Sequence, residues 1–88
     1  MITLYVIEGL ATGRRYVGIT NNLERRLSEH ENGASQSGRL IGPFRLLLTE
    51  SFQTYVAARE REKFLKSGQG REWLKRNVLQ SPRPAKGG

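Results

Sequence analysis

Cysteine is absent from this 88-residue chain, which excludes disulfide staples, thiolate zinc sites and a cysteine nucleophile. A single histidine excludes any multi-histidine metal site, so a metal would have to be held by carboxylates. No run approaches the roughly 18 consecutive apolar residues that span a bilayer. Met1 leads directly into a strand-like pattern where an export signal would carry a charged leader and an apolar run, so the expectation is a cytoplasmic chain, neither membrane-inserted nor secreted. Apolar residues are sparse at 36%, enough for one modest core in 88 residues and not for two. Acids are outnumbered, 8 against 15 Lys and Arg, for a net charge of +7. Residues 1–33 carry four charges of each sign, 34–66 carry six basic and three acidic, and 67–88 carry five basic and one acidic. The surplus therefore lies in the last two thirds. Clustered cations gain affinity for phosphate backbones by releasing condensed counterions, which points to a polyanionic partner rather than to charge that only keeps the chain soluble.

The pattern of residue types divides the chain into a few elements. Residues 2–8 (ITLYVIE) and 16–20 (YVGIT) are rich in β-branched and aromatic side chains, and GLATGRR between them supplies turn residues, so a hairpin is predicted. A register symmetric about Leu10 and Ala11 sets Tyr5 directly opposite Tyr16. Alternation puts Gly18 on the same face, where its missing side chain leaves open space for a ligand beside Tyr16. Asn21 and Glu24 form a capping-box pattern that starts a helix over 21–32, with Arg26 and His30 one turn apart on one face. Residues 33–43 are loop and carry Arg39. Residues 44–52 (FRLLLTESF) read as a third strand, with Phe44, Leu46 and Leu48 on one face and the Leu46-Leu47-Leu48 run buried from both sides.

A second helix is predicted to begin at Thr54 and end at Lys66, with Ser67-Gly68 as its C-terminal cap. Ala57, Ala58, Phe64 and Leu65 form its apolar side, Glu62 lies at the edge of that side, and Arg61 intrudes into it. A last helix over 71–79 carries Trp73, Leu74 and Val78. The domain is thus expected over 1–79, and 80–88 has the composition of a disordered basic tail.

Tyr5-Val6-Ile7, Tyr16-Val17-Gly18 eleven positions on, Arg26 and His30, and then Glu62 within REREKFLK follow one another in an order that resembles the GIY-YIG nuclease domain. The segment KSGQGREWL that follows resembles the ending of its small single-domain members. The resemblance covers about residues 2–76. It implies an α+β (α/β) fold, a small three-stranded antiparallel sheet flanked by about three helices, and metal-dependent hydrolysis of DNA phosphodiesters, in settings such as DNA repair or recombination. It assigns Tyr5 and Tyr16 as the two motif tyrosines, Arg26 as the helix arginine, His30 as its neighbour and Glu62 as the metal-binding glutamate. The glycine and isoleucine that precede the first tyrosine in the family are Thr3 and Leu4 here, and Asn77 lies beyond the matched ending without an assigned role.

The chemistry asks for the same residue types. Diester hydrolysis must stabilise charge on the phosphoryl and leaving oxygens, a task for Arg26 and a cation. One carboxylate suits a loosely held Mg²⁺ or Mn²⁺ that keeps waters and takes its other ligands from the substrate. An ordinary tyrosine, with a pKa of about 10, needs a nearby cation to serve as base near neutrality. Either tyrosine, or His30, is a candidate for that role. Arg39, Lys63, Lys66 and Arg71 are candidates for contact with the nucleic-acid backbone. Two rivals remain beside the nuclease: a basic nucleic-acid-binding module that does not cut, and a subunit that relies on a larger protein partner for target choice. The form of the DNA, and whether RNA is also cut, stay open.

Overall fold

The computed structural model describes residues 1–32 and 42–79; the predicted tail over 80–88 and Arg39 lie outside the described residues. Three strands, β1 (Ile2–Gly9), β2 (Arg15–Thr20) and β3 (Phe44–Phe52), form one antiparallel sheet in the order β2-β1-β3. The first strand is therefore the middle one. Helix α1 (Leu23–Glu31) joins the hairpin to the segment before β3, and α2 (Tyr55–Lys66) and α3 (Gly68–Leu74) follow the sheet, α3 widening into a π-helical turn over Lys75–Leu79. The fold is α+β, a three-stranded antiparallel sheet with three α-helices among the described residues.

Alternation along β1 supplies both halves of the core. Leu4 and Val6 point to one face and join Val17, Leu65 and Leu74, with Leu47, Leu48, Phe52, Phe64 and Trp73 around them. Tyr5 and Ile7 point to the other, where Tyr16, Leu23, Leu27 and Phe44 close over them. Each fully buried aliphatic side chain contributes about 1.5–3 kcal/mol, so β1 is the main hydrophobic element of a small protein.

The hairpin register differs from the symmetric one. Tyr5 pairs with Gly18 and Ile7 with Tyr16, a two-residue slip from direct opposition of the tyrosines. The turn is centred one residue later than Leu10 and Ala11: Gly9 N–H donates to Arg14 O at 2.8 Å, and Gly13 takes a left-handed φ of 72° that closes the loop. A slip of two preserves the faces, so the tyrosines become diagonal neighbours. The space over Gly18 is not open: a Cβ there would lie 2.5 Å from Tyr5 Oη and 3.0 Å from the Tyr16 ring. Tyr5 itself fills the room expected for a ligand.

β3 also departs from expectation. Val6 pairs with Leu48 and Ile7 with Leu46, so Leu47 is an extra residue and the strand bulges there. Phe44 joins the Tyr5 side, Leu47 and Leu48 join the Leu4 side, and Leu46, on an edge strand, is 43% exposed. The three leucines are thus not buried from both sides.

Helix boundaries follow their caps. Asn22, not Asn21, caps α1, its side chain accepting from Arg25 N–H at 3.1 Å. Thr54 caps α2 as expected, accepting from Ala57 N–H. Ser67 ends α2 and caps α3 by accepting from Gly70 N–H at 3.2 Å, so the last helix starts three residues before the predicted position 71. Gly68 opens α3 and is not a left-handed cap. Gly70 is where α3 meets α2, because a side chain there would run into the Phe64 carbonyl and Leu65 backbone. Arg61 finds its own niche: its guanidinium forks onto Glu50 at 2.9 and 3.1 Å and lies 4.5 Å from the Trp73 ring centre. Asn77 donates from its side chain to Trp73 O at 2.9 Å.

Candidate active site

Four of the five candidate catalytic side chains meet on the α1 face of the sheet. β1 carries Tyr5 into the core, where it is 0% exposed, while β2, an edge strand, leaves Tyr16 half-buried with its ring centre 6.2 Å from that of Tyr5. The Arg26 and His30 spacing on α1 brings both down onto the Tyr5 phenol. Arg26 Nε donates to Tyr5 Oη at 3.4 Å, and His30 Nε2 lies 3.3 Å from the same oxygen. Because that oxygen accepts from Arg26, its own proton is assigned to His30 Nε2, which places the imidazole proton on Nδ1. His30 is 1% exposed, packs against the Tyr16 ring at 5.3 Å and the edge of Phe44 at 6.0 Å, and its Nδ1 has no partner among the described residues.

This packing perturbs all three groups. Burial pushes the Tyr5 phenol above its usual pKa; the hydrogen bond from Arg26 works against that, and Tyr16 and, last, the Glu62 carboxylate add to it. Burial, aided by the Arg26 charge and opposed by Glu29, holds His30 below the usual imidazole value. The bond to Tyr5 raises the Arg26 guanidinium further, so it is a permanent cation. Glu29 steadies it at 3.2 Å, and its side chain is still 38% exposed, which leaves the charge within reach of a ligand.

Glu62 arrives from α2. It stands four residues from Ala58 and three from Leu65, on the stripe that packs against the sheet, and is only 12% exposed. Its carboxylate accepts from Lys66 at 2.9 Å and has Arg59 at 3.8 Å. Among the described residues it makes no hydrogen bond to either tyrosine or to Arg26; it reaches them through its field on Tyr5. No group of three or more His, Cys, Asp or Glu residues is placed to hold a metal among the described residues. A caged ion is therefore not catered for. One carboxylate with a cation partner fits a divalent ion that brings its own waters, displaces Lys66 and completes its shell with substrate oxygens.

The candidate backbone-contact residues separate. Lys66 and Arg71 border a concavity of about 220 Å³ whose wall includes Tyr16. Lys63 lies elsewhere, beside a shallow hollow lined by Ile19, Tyr55 and Val56. Arg15, which sequence reasoning missed, borders the Tyr16 concavity too. Its signal was its place immediately before Tyr16, at the start of the edge strand.

Comparison with known proteins agrees with this arrangement. The GIY-YIG catalytic domain family matches residues 1–77. The UPF0213 protein CPE1444 of Clostridium perfringens is 40% identical over 52 residues, 58% of this chain, and the match spans only 56% of that relative's own length. The solution NMR structure of the UPF0213 protein BH0048 from Bacillus halodurans superposes with a TM-score of 0.55 at 30% identity, over 94% of this chain and 89% of that one.

Proposed function

The chain belongs to the GIY-YIG family, a nuclease-type family, and from that premise we propose that it is an endonuclease that hydrolyses DNA phosphodiester bonds by water attack, assisted by one Mg²⁺ or Mn²⁺. The observation that carries this reading is the convergence of Tyr5, Tyr16, Arg26 and His30, from three separate elements, around a permanent cation that remains accessible. DNA repair or recombination in the cytoplasm is the setting proposed for it. No helix among the described residues is long and apolar enough to cross a membrane.

The proposed roles follow from burial. Arg26, held by Tyr5 and Glu29, contacts a non-bridging oxygen of the scissile phosphate and stabilises the charge that gathers there. Tyr16, the phenol that meets solvent, takes the proton from the attacking water. Tyr5 and His30 are positioning residues: Tyr5 aims the guanidinium, and neutral His30 fixes the Tyr5 hydroxyl while keeping water from it. Glu62 would hold the divalent ion, which supplies charge neutralisation at the phosphate when bound. Lys66 and Arg71 contact the DNA backbone, with Lys63 as a peripheral charge.

The ion pair of Glu62 with Lys66 favours one other reading, a module that binds nucleic acid and does not cut, because the carboxylate is already engaged. Nicking of supercoiled plasmid with and without Mn²⁺ separates the two. Cutting that needs the ion and is abolished in folded Glu62→Ala, Arg26→Ala and Tyr16→Phe proteins supports the nuclease; equal cutting by Glu62→Ala and wild type refutes it.

A further inference from the structure

The segment from Lys66 to Arg71 is more than a connection between helices. Ser67 turns the chain sharply, and Gly70 lets α3 lie against the end of α2. The turn brings Lys66 and Arg71 to the border of one concavity, and Arg15 of β2 joins them there. The floor is apolar, made of Val17, Leu65 and Leu74, and Tyr16 forms part of the wall. No carboxylate lines the hollow. Among the described residues neither Arg15 nor Arg71 has an ion-pair partner, whereas the arginines of α1, α2 and β3 do. Lys66 is the exception within the trio, since it holds Glu62.

Three cations brought together without an anion repel one another, and an apolar floor beneath them adds nothing to their hydration. The pair of features is complementary to a group with a charged end and an apolar body. The volume of about 220 Å³ lies below the roughly 300 Å³ at which drug-sized ligand pockets begin, so the occupant is small. We propose that this concavity is a subsite for a single nucleotide unit of the substrate strand: Arg15, Lys66 and Arg71 hold one phosphate, and its deoxyribose rests on the Val17–Leu65–Leu74 floor beside Tyr16. The site positions the strand so that the neighbouring phosphate reaches Arg26. The inference rests on the nuclease reading only for the identity of the polymer. Arg15 is thereby a binding residue for DNA, and the KSGQGR turn has the task of carrying two of the three cations.

The test is made on the Glu62→Gln protein in EDTA, where binding is read without cutting. Affinity for a short single-stranded DNA is measured across a salt series, with Arg15→Ser and Arg71→Ser added singly and together. Each cation lost from a phosphate contact lowers the slope of log affinity against log salt by about 0.7, so the pair lowers it by about 1.4. Arg45→Ser, which removes a cation paired with Glu8 on the far edge strand, leaves the slope unchanged. Amide shifts on titration with thymidine 5′-monophosphate are expected at residues 15–17 and 65–71, and to saturate at lower concentration than with inorganic phosphate. An unchanged slope in the double variant, or shifts scattered away from these residues, overturns the proposal. A protein that never nicks plasmid yet shows the slope change and the local shifts refutes the hydrolytic reading and supports the subsite.

Discussion

Replacing Tyr5 by Phe removes one oxygen and keeps the ring, so no cavity is opened and the loss is polar. Two partners are left behind. Arg26 is 38% exposed and turns to water, which makes its share small. His30 is 1% exposed, and its Nδ1 is already unpartnered among the described residues, so both nitrogens of a buried ring would then lack a partner. An orphaned buried polar group costs about 1–3 kcal/mol. The contacts here, at 3.3 and 3.4 Å, are longer than the ordinary hydrogen-bond range, which argues for the lower part of that interval, about 1–2 kcal/mol. For a domain of this size that is a fall in Tm of about 4–16 °C. Thermal and urea denaturation followed by circular dichroism measure it directly. Adding His30→Leu to Tyr5→Phe removes the orphaned ring, so the double variant should lose less than the sum of the two single losses. A Tyr5→Phe protein as stable as wild type, or strictly additive losses, would show that the hydroxyl and the imidazole do not hold each other and would remove the basis for calling Tyr5 a positioning residue.

Other outcomes follow from the same contacts. Because burial lowers the His30 pKa in the folded state, the unfolded chain binds its proton at higher pH than the folded one; stability is complete above about pH 6.5 and falls as pH drops from there through the lowered value. Urea midpoints at about pH 7.5 and about pH 5 should therefore differ more for wild type than for His30→Leu. If the two roles proposed for the tyrosines are right, Tyr16→Phe abolishes nicking at every pH, whereas Tyr5→Phe retains measurable kcat, raises KM through the misplaced Arg26 and leaves the pH profile in shape; a Tyr5→Phe protein as dead as Tyr16→Phe contradicts the division. At the α2–α3 junction, Gly68→Ala meets nothing within 4 Å and should stabilise by about 0.4–1 kcal/mol, while Gly70→Ala drives a side chain into the Phe64 and Leu65 backbone and should cost at least the about 1–3 kcal/mol of an overpacked site. Equal denaturation midpoints for these two variants would refute the packing described.

Local signals made much of this fold legible. The β-branched runs announced the hairpin, Thr54 and Lys66 bounded α2 within a residue, and the four-residue step from Arg26 to His30 was enough to put both over one phenol. What was misread depended on geometry that residue types do not encode locally. The register turned on Gly13 closing a loop one residue farther along than symmetry suggested. The leucine run of β3 implied burial from both sides, but composition does not say that a strand will lie at an edge or bulge at Leu47. Ser67-Gly68 carried a stop signal, and the same serine also served as a start, which only the packing of Gly70 against α2 makes possible. Arg15 went unnoticed because its importance depends on α3, distant in sequence, arriving beside it.

The strand order is what separates two chemically identical phenols. β1 lies between its neighbours and beneath α1, so any side chain on that face loses contact with water; Tyr5 can serve only by holding other groups. β2 has one free edge, so Tyr16 on the same face keeps solvent on one side. The two-residue slip matters for the same reason. Direct opposition would have set the rings against each other across the hairpin, whereas pairing Tyr5 with Gly18 gives the buried ring a place to lie and moves Tyr16 two positions nearer the turn, opposite Ile7. That is the end of β2 where Arg15, Lys66 and Arg71 gather. The register thus fixes both the burial of one phenol and the position of the other beside the cationic hollow, and a glycine at residue 18 is the local condition for both.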